Sequence, residues 1–228
     1  MIRFLFLDLD DTILDFQKAE YIAIGKTIAS FGVEPTEQVR RRYSQINKAH
    51  WEMLERKELT RDQVLVGRFD VLFRELGVEV NAVECARQYE NNLSIGHYFL
   101  PGAREALEAL SKKYRLFLTS NGTAKVQAGR LESAAISHFF EKIFISQQIG
   151  ANKPDIAYFD GCIAQIPDFS REHTMIVGDS LSSDIQGGIN AGIKTCWVNP
   201  KHAPANPHIP ADYEIESITQ LEALLETL

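Results

Sequence analysis

The sequence has few cysteines, and neither its cysteines nor its histidines are spaced as metal ligands. Cys85, Cys162 and Cys196 lie far apart in the chain, and none belongs to a CxxC pair. The six histidines show no HxH or HxxxH spacing. We therefore expect neither a disulfide framework nor a zinc site built from cysteine and histidine.

Long apolar runs and an excess of positive charge are also missing. No apolar run approaches the roughly 18 residues of a membrane helix, and the apolar segment that ends at Asp8 is too short for a secretory signal. The 24 Lys and Arg residues against 31 Asp and Glu give a net charge of −7, which disfavours binding to nucleic-acid backbone. These absences predict a soluble, cytoplasmic protein that binds neither membranes nor nucleic acids. Small phosphorylated metabolites stay open as ligands.

Short apolar segments alternate with helical patterns from about residue 100 onwards. The segments that read as strands buried on both faces are residues 2–8, 114–120, 142–146, 174–179 and 194–199. The alternation predicts an α/β fold whose core is a Rossmann-like, doubly wound parallel sheet. Residues 217–228 have leucines at helical spacing and predict a closing helix, with Ser217 and Gln220 as its capping box.

Residues 16–96 differ from the rest of the chain. They contain four amphipathic helical stretches and no convincing strand. Pro101 and Gly102 then mark the return to the alternating pattern. We predict that residues 16–96 form a helical domain inserted after the first strand, and that residues 1–15 and 97–228 form the core.

The loop at residues 199–211 is marked by its composition. It holds four of the eight prolines of the chain, which predicts an ordered loop without helix or strand. Because it follows a strand at the edge where ligands gather, we expect it to border the functional site.

Polar side chains follow the candidate strands at the edge of the sheet where ligands bind. These residues are Asp8, Asp10 and Thr12, then Ser120, Asn121 and Gly122, then Lys153, and finally Asp179, Ser180 and Asp184. Two carboxylates about 4 Å apart repel each other by roughly 4 kcal/mol at an effective dielectric constant near 20. A hard cation removes this repulsion, and Mg²⁺ prefers oxygen ligands. We therefore predict a Mg²⁺ site that uses Asp8, Asp179 and Asp184.

The same edge holds the groups that phosphoryl transfer needs. The carboxylate of Asp8 can attack phosphorus and form an aspartyl-phosphate. In an extended chain Asp10 points the same way as Asp8, so it can give a proton to the leaving oxygen and later take one from water. Lys153 and the hydroxyl of Ser120 can hold the transferring oxygens, assisted by backbone N–H groups near Asn121.

Four segments resemble the motifs of a known superfamily. DLDDT, LTSNG, KP and GDSLSSD match, in order and spacing, those of the haloacid dehalogenase-like (HAD) hydrolases, and the resemblance spans the whole chain. The roles that it implies are Asp8 as nucleophile, Asp10 as general acid and base, Thr12 as support of the first motif, Ser120 and Lys153 as phosphate ligands, and Asp179 and Asp184 as anchors of Mg²⁺. It implies a fourth metal ligand, the backbone carbonyl of Asp10. It also implies that the helical insert is a C1-type cap domain.

A finer resemblance concerns the substrate. NKAHW, GRF, FLPGA and GGINAGIKTCWVN are similar to segments of the bacterial pyrimidine 5′-nucleotidases that act on non-canonical nucleoside monophosphates. One departure is TSNG, where that branch more often has Thr-Asn-Gly, but Ser120 keeps the hydroxyl. The resemblance implies a Mg²⁺-dependent phosphatase whose substrate is a nucleoside monophosphate.

The insert offers four candidate substrate contacts. Trp51 or Phe69 could stack on a base, and Lys48 or Arg68 could meet polar groups. Trp51 and Phe69 also fit the apolar periods of their helices, so packing inside the insert is the alternative.

Other functions on the same core stay open. A sugar-phosphate phosphatase or a phosphomutase would use the same motifs, with the substrate selected by the cap. A phospho-accepting signalling module also pairs acidic residues with lysine, but its phosphorylated aspartate lies on a later strand. The sequence leaves the choice between a monomer and a homodimer open.

Overall fold

The computed structural model describes residues 1–228 and contains a single six-stranded sheet with helices on both faces. The strands are β1 (Phe4–Leu7), β2 (Arg115–Ser120), β3 (Lys142–Ile145), β4 (Thr174–Gly178), β5 (Lys194–Val198) and β6 (Tyr213–Ile215). The helices before β2 are α1 (Phe16–Ser30), α2 (Glu37–Glu55), α3 (Arg61–Leu76), α4 (Ala82–Ser94) and α5 (Ala103–Ser111). The helices after β2 are α6 (Ala124–Ala134), α7 (Ser146–Ile149), α8 (Ile156–Ile163), α9 (Gln186–Ala191) and α10 (Leu221–Leu225).

The strands lie in the order β3-β2-β1-β4-β5-β6, and every neighbouring pair is parallel. This order is that of a doubly wound sheet: β2 and β3 are added on one side of β1 and β4 to β6 on the other, so the direction of strand addition reverses between β1 and β4. The predicted Rossmann-like fold is confirmed. The crevice at such a reversal lies beyond the carboxyl ends of the strands, directly after Leu7 and Gly178.

Alternating side chains of β1 build the core on both faces of the sheet. Phe4 and Phe6 belong to an aromatic cluster on one face, which includes Phe117. Leu5 and Leu7 belong to an aliphatic cluster on the other face. All four residues of β1 are buried, so the strand reads as a continuous apolar run in the sequence. That burial fixes the point at which the chain emerges at the crevice.

Helices α1 to α4 form a helical unit between the first and second strands. All four begin at polar N-caps that accept a backbone hydrogen bond, and Thr60 of α3 forms a full capping box with Gln63. The unit has its own buried cluster, which includes Ile28, Tyr43 and Phe69. The four predicted helices are confirmed, and the boundaries at residues 16 and 96 stay a prediction.

The end of the chain differs from the prediction. A 3₁₀ turn at Ile218–Gln220 precedes the short helix α10, so no continuous helix covers residues 217–228. Ser217 accepts from the N–H of Thr219, and the side chain of Gln220 accepts from the N–H of Glu216. The predicted capping box is therefore wrong, because the tighter first turn changes which N–H groups the two side chains reach. Strand β6 was not predicted, since three residues give no periodic signal.

None of the helices is both long and apolar enough to cross a lipid bilayer.

Candidate active site

The carboxyl ends of the central strands and the helical unit enclose one cavity. Asp8 follows β1, Ser120 ends β2, Lys153 follows α7 after β3, and Asp179 and Asp184 follow β4. All of these predicted residues line the cavity, together with Asp10 and Asn121. The structure thus brings together residues that lie up to about 180 positions apart in the chain.

Three carboxylates and one lysine form the floor of the cavity. One oxygen from each of Asp8, Asp179 and Asp184 lies within 4.8 Å of the others. The Lys153 Nζ donates to Asp8 Oδ1 at 2.7 Å, to Asp184 Oδ1 at 2.6 Å and to the Thr119 carbonyl at 3.1 Å. A single buried cation thus faces three carboxylates. The positive charge of Lys153 is too small to balance the negative charges of all three carboxylates when they are ionised.

Burial and mutual repulsion perturb these groups. Burial raises the pKa of Asp8 to about 8 against the opposing charge of Lys153, and the charges of Asp184 and Asp10 raise it further. Burial, with the charges of Asp8 and Asp184, raises the pKa of Asp179 well above its usual range. No protein group donates a hydrogen bond to the Asp179 carboxylate. A carboxylate without a donor, beside two carboxylates that share one lysine, fits a hard divalent cation.

A close approach of backbone and side chain places Asp184. The residue lies in a π-helical turn, Leu181–Ile185, and its Oδ2 accepts from the Ser180 N–H at 3.1 Å. A Cβ on Gly178 would collide with the Asp184 carboxylate. The end of β4 must therefore be glycine for Asp184 to reach Lys153.

Ser120 is prepared to donate a hydrogen bond into the cavity. Its Oγ accepts from the Gly122 N–H at 3.1 Å and from the Gln127 Nε2 at 2.8 Å. Both acceptor positions of the hydroxyl are thus used. The O–H hydrogen is left for a ligand oxygen, as the predicted role in phosphate binding requires.

The side chain of Asn121 fixes Lys153. Its Nδ2 donates to the Lys153 carbonyl at 2.9 Å, and its Oδ1 accepts from the Lys153 N–H at 2.8 Å. The reciprocal pair joins the loop after β2 to the loop after β3. The pairing uses one hydrogen of the amide nitrogen and one lone pair of the amide oxygen, so the Asn121 side chain positions Lys153 at the floor of the cavity.

The three polar residues after Asp8 and Leu9 have different surroundings. Asp10 is held by Gln127, whose Nε2 donates at 2.7 Å, and by Arg130. Asp11 has a positive φ of 55° and accepts from the N–H of Phe16 at 2.9 Å, so it holds the first turn of α1. Thr12 is fully buried and its Oγ1 has no hydrogen-bond partner. Nothing in the structure explains that hydroxyl.

Two of the four predicted contacts in the helical unit reach the cavity. Trp51 and Arg68 line it, whereas Lys48 and Phe69 do not. Phe69 is buried inside the unit with its ring 5.3 Å from that of Tyr43, and the Lys48 side chain is 80% exposed. The expectation that Lys48 and Phe69 meet a substrate is therefore corrected. Their helices turn Phe69 towards the core of the unit and Lys48 towards solvent.

Arg61, which the sequence did not single out, ties the helical unit to the sheet. Its Nη1 donates to the carbonyls of Asn121 at 2.9 Å and Gly122 at 3.1 Å, and its Nη2 donates to Ser146 Oγ at 2.6 Å and to Asn152. The first residue of an amphipathic helix gives no sequence signal for such a role. The partners lie at least 60 residues further along the chain.

The proline-rich loop does not border the cavity. None of residues 199–211 lines it. Asn199 instead exchanges two hydrogen bonds with Ala203 and donates to the side chain of Glu214 in β6. The expected place at the site is therefore wrong, because the loop folds back on the edge of the sheet.

A buried lysine among carboxylates at the reversal point of a parallel sheet, under a helical cover, defines a class of α/β hydrolases. Residues 5–198 match the family described as haloacid dehalogenase-like hydrolases. The chain belongs to this family, and it is a phosphatase of the HAD type. The four sequence motifs predicted this membership.

Individual relatives along nearly the whole chain are a HAD hydrolase and two pyrimidine 5′-nucleotidases. HAD-hydrolase YfnB of Bacillus subtilis is 38% identical over 223 residues, which cover 98% of this chain and 95% of YfnB. The crystal structure of YfnB bound to magnesium matches the present structure with a TM-score of 0.94 over 98% of both chains. The pyrimidine 5′-nucleotidase PynA of Streptococcus pneumoniae is 36% identical, covering 96% of this chain and 93% of PynA. The pyrimidine 5′-nucleotidase YjjG of Escherichia coli is 30% identical, covering 97% of this chain and 96% of YjjG. The resemblance to the nucleotidase branch is confirmed.

Proposed function

We propose that the protein is a Mg²⁺-dependent 5′-nucleotidase that hydrolyses pyrimidine nucleoside monophosphates. The observation that carries the proposal is the buried Lys153, which joins Asp8 to Asp184 beside Asp179 at the floor of a cavity that the helical unit covers. Two relatives along nearly the whole chain are pyrimidine 5′-nucleotidases. A pocket whose walls include Phe16, Trp51 and Leu65 above a charged floor suits a phosphate joined to a nucleoside.

The metal would be held by Asp8, Asp179 and Asp184, together with the backbone carbonyl of Asp10. When bound, Mg²⁺ offsets the repulsion among the carboxylates and the negative charge of the phosphate. The crystal structure of the 38% identical YfnB was determined bound to magnesium, which supports the choice of metal.

The protein side chains divide the reaction between them. The carboxylate of Asp8 attacks phosphorus, and the bond from phosphorus to the nucleoside oxygen breaks as Asp10 gives that oxygen a proton. Asp10 then takes a proton from a water molecule, whose oxygen attacks the phosphorus of the aspartyl-phosphate. Phosphate leaves and the Asp8 carboxylate is restored. Lys153 and the Ser120 hydroxyl bind the non-bridging oxygens throughout.

The decisive experiment measures phosphate release from nucleoside monophosphates and sugar phosphates, with and without Mg²⁺. We expect turnover that depends on Mg²⁺ and is best with UMP, dUMP or dTMP. Faster turnover of ribose 5-phosphate or other sugar phosphates than of any nucleotide would overturn the nucleotidase proposal and favour a sugar-phosphate phosphatase.

Trp51 is expected to bind the base. It lines the cavity from α2, with the Arg61 guanidinium 5.6 Å from its ring. Stacking of a base on an aromatic ring contributes about 1–3 kcal/mol, so Trp51→Ala should lower kcat/KM for UMP about 10-fold or more. Ribose 5-phosphate, which has no base, should lose much less. Lys48→Ala on the same helix is the matched control, and equal losses on both substrates would contradict base stacking.

Arg61 is expected to hold the helical unit closed over the substrate. Hydrogen bonds to a charged group contribute about 1.5–3 kcal/mol, so Arg61→Met should reduce kcat/KM roughly 10-fold or more for every phosphate ester. Small-angle scattering of the metal-loaded protein should show a larger radius of gyration. Arg56→Met is the control, because Arg56 pairs only with its neighbour Glu58. An unchanged kcat/KM in Arg61→Met would rule out the closure role.

A further inference from the structure

Two residues on one face of α6 donate hydrogen bonds to the carboxylate of Asp10. Gln127 donates from Nε2 to Asp10 Oδ2 at 2.7 Å, and Arg130 donates from Nη1 to Asp10 Oδ1. The Arg130 Nη1 also donates to Gln127 Oε1 at 3.2 Å. Because residues three apart lie on the same side of a helix, one turn of α6 presents both donors. Each carboxylate oxygen of Asp10 is thereby given its own partner.

Gln127 also joins Asp10 to the residue that faces the phosphate. Its second Nε2 hydrogen is available for the Ser120 Oγ, 2.8 Å away. A Cβ on Gly122 would collide with the Gln127 side chain. A glycine in the loop after β2 therefore allows Gln127 to reach Ser120 and Asp10 at once.

The side chains of Gln127 and Arg130 are almost completely buried. Gln127 is 1% exposed and Arg130 is fully buried. Arg130 donates from Nε to the Gly96 carbonyl at 2.9 Å, and its Nη2 has no hydrogen-bond partner in the protein. A buried donor without a partner costs stability, so burial of a complete guanidinium here is poorly explained by folding alone. The carboxylate that forms an ion pair with Arg130 is that of Asp10.

We propose that Gln127 and Arg130 are positioning residues, which fix the orientation of the Asp10 carboxyl for proton transfer to the leaving oxygen. The inference rests on the proposed role of Asp10. The proton moves from the Asp10 carboxyl to the oxygen of the departing alcohol, while Gln127 and Arg130 donate hydrogen bonds and give up no proton. The link through Gln127 holds Asp10 at a constant position relative to Ser120, and hence to the phosphate.

Substitution of Gln127 or Arg130 should therefore lower kcat/KM most for substrates whose leaving group needs a proton. An alcohol such as the nucleoside 5′-hydroxyl leaves poorly without protonation, whereas p-nitrophenol leaves readily as an anion. General acid catalysis contributes typically 10²–10⁴-fold. Gln127→Met and Arg130→Met should each lower kcat/KM for UMP by about 10²-fold. The loss with p-nitrophenyl phosphate should stay below about 10-fold.

The comparison uses kcat/KM, because this quantity covers steps only up to departure of the leaving group and excludes hydrolysis of the aspartyl-phosphate. Arg104→Met is the matched control: Arg104 donates to the Ala134 carbonyl and lies 5.7 Å from the ring of Phe99, away from Asp10. Arg130→Lys, which keeps a charged donor, should recover part of the loss on UMP. If Arg130→Met does not fold, as judged by its melting curve, Gln127→Met carries the test.

Equal losses on UMP and p-nitrophenyl phosphate would overturn the inference and leave a structural role. So would an unchanged kcat/KM for UMP in both variants. If the wild-type protein does not hydrolyse nucleotides, the nucleotidase proposal fails separately. The same ratio is then measured with glycerol 1-phosphate, another alkyl ester, in place of UMP.

Discussion

Replacement of Asp8 with asparagine should abolish phosphate release and yet raise the melting temperature of the metal-free protein. The amide cannot attack phosphorus, and loss of a catalytic nucleophile lowers turnover by on the order of 10⁴-fold or more. The same change removes one of three clustered carboxylates, for which Lys153 is the one paired cation. Relief of about 1–2 kcal/mol of repulsion in a chain of this size corresponds to a rise of roughly 2–8 °C.

The two effects are measured separately. Phosphate release from UMP with Mg²⁺ reports the chemistry, and thermal melting in EDTA reports the repulsion. Asp160→Asn provides a control, because Asp160 lies on the surface and pairs with Arg171. A variant that keeps more than about a hundredth of wild-type turnover would exclude Asp8 as the nucleophile. A lower melting temperature in EDTA would show that the Lys153 pairing outweighs the repulsion.

The sequence predicted the sheet and the floor of the site because both follow from short segments of the chain, namely each apolar strand and the residues directly after it. A strand buried on both faces must be apolar throughout, as in β1 and β4, and parallel strands deliver their following residues to one edge. Asp8, Lys153 and Asp184 could therefore be placed together from their positions after strands alone. The helical unit was predictable for a similar reason, since its helices are amphipathic.

Contacts between distant segments could not be predicted. Gln127 and Arg130 reach Asp10 across 117 and 120 residues, and their positions on α6 look like those of any polar helix residues. The same holds for Arg61 at the start of α3. Trp51 and Phe69 show the limit within one unit: both fit an apolar helical period, but only the packing of the helices decides which ring faces the cavity.

Magnesium should stabilise the protein more at about pH 8 than at about pH 5. Burial raises the pKa of Asp8 to about 8 and that of Asp179 well above its usual range. Between about pH 4 and pH 8 the folded metal-free protein thus binds more protons than the unfolded chain, and its stability falls as the pH rises. Burial raises the pKa of Glu20 as well, so that residue acts in the same direction. Neighbouring carboxylates raise the pKa of Lys153 despite its burial, and this shift affects stability only at a much higher pH.

A bound divalent cation reverses this trend, because it requires the ionised carboxylates that destabilise the metal-free protein. Melting curves at about pH 5, 6.5 and 8, each with EDTA and with Mg²⁺, should show a melting-temperature difference that grows with pH. One group contributes up to about 1.4 kcal/mol per pH unit, so the metal-free protein should lose several degrees across the range. Asp179→Asn should flatten the EDTA curve, whereas Asp160→Asn should leave it unchanged. A metal-free melting temperature that rises from about pH 5 to pH 8 would mean that Lys153 alone neutralises the three carboxylates, and the cavity floor would then need no cation to fold.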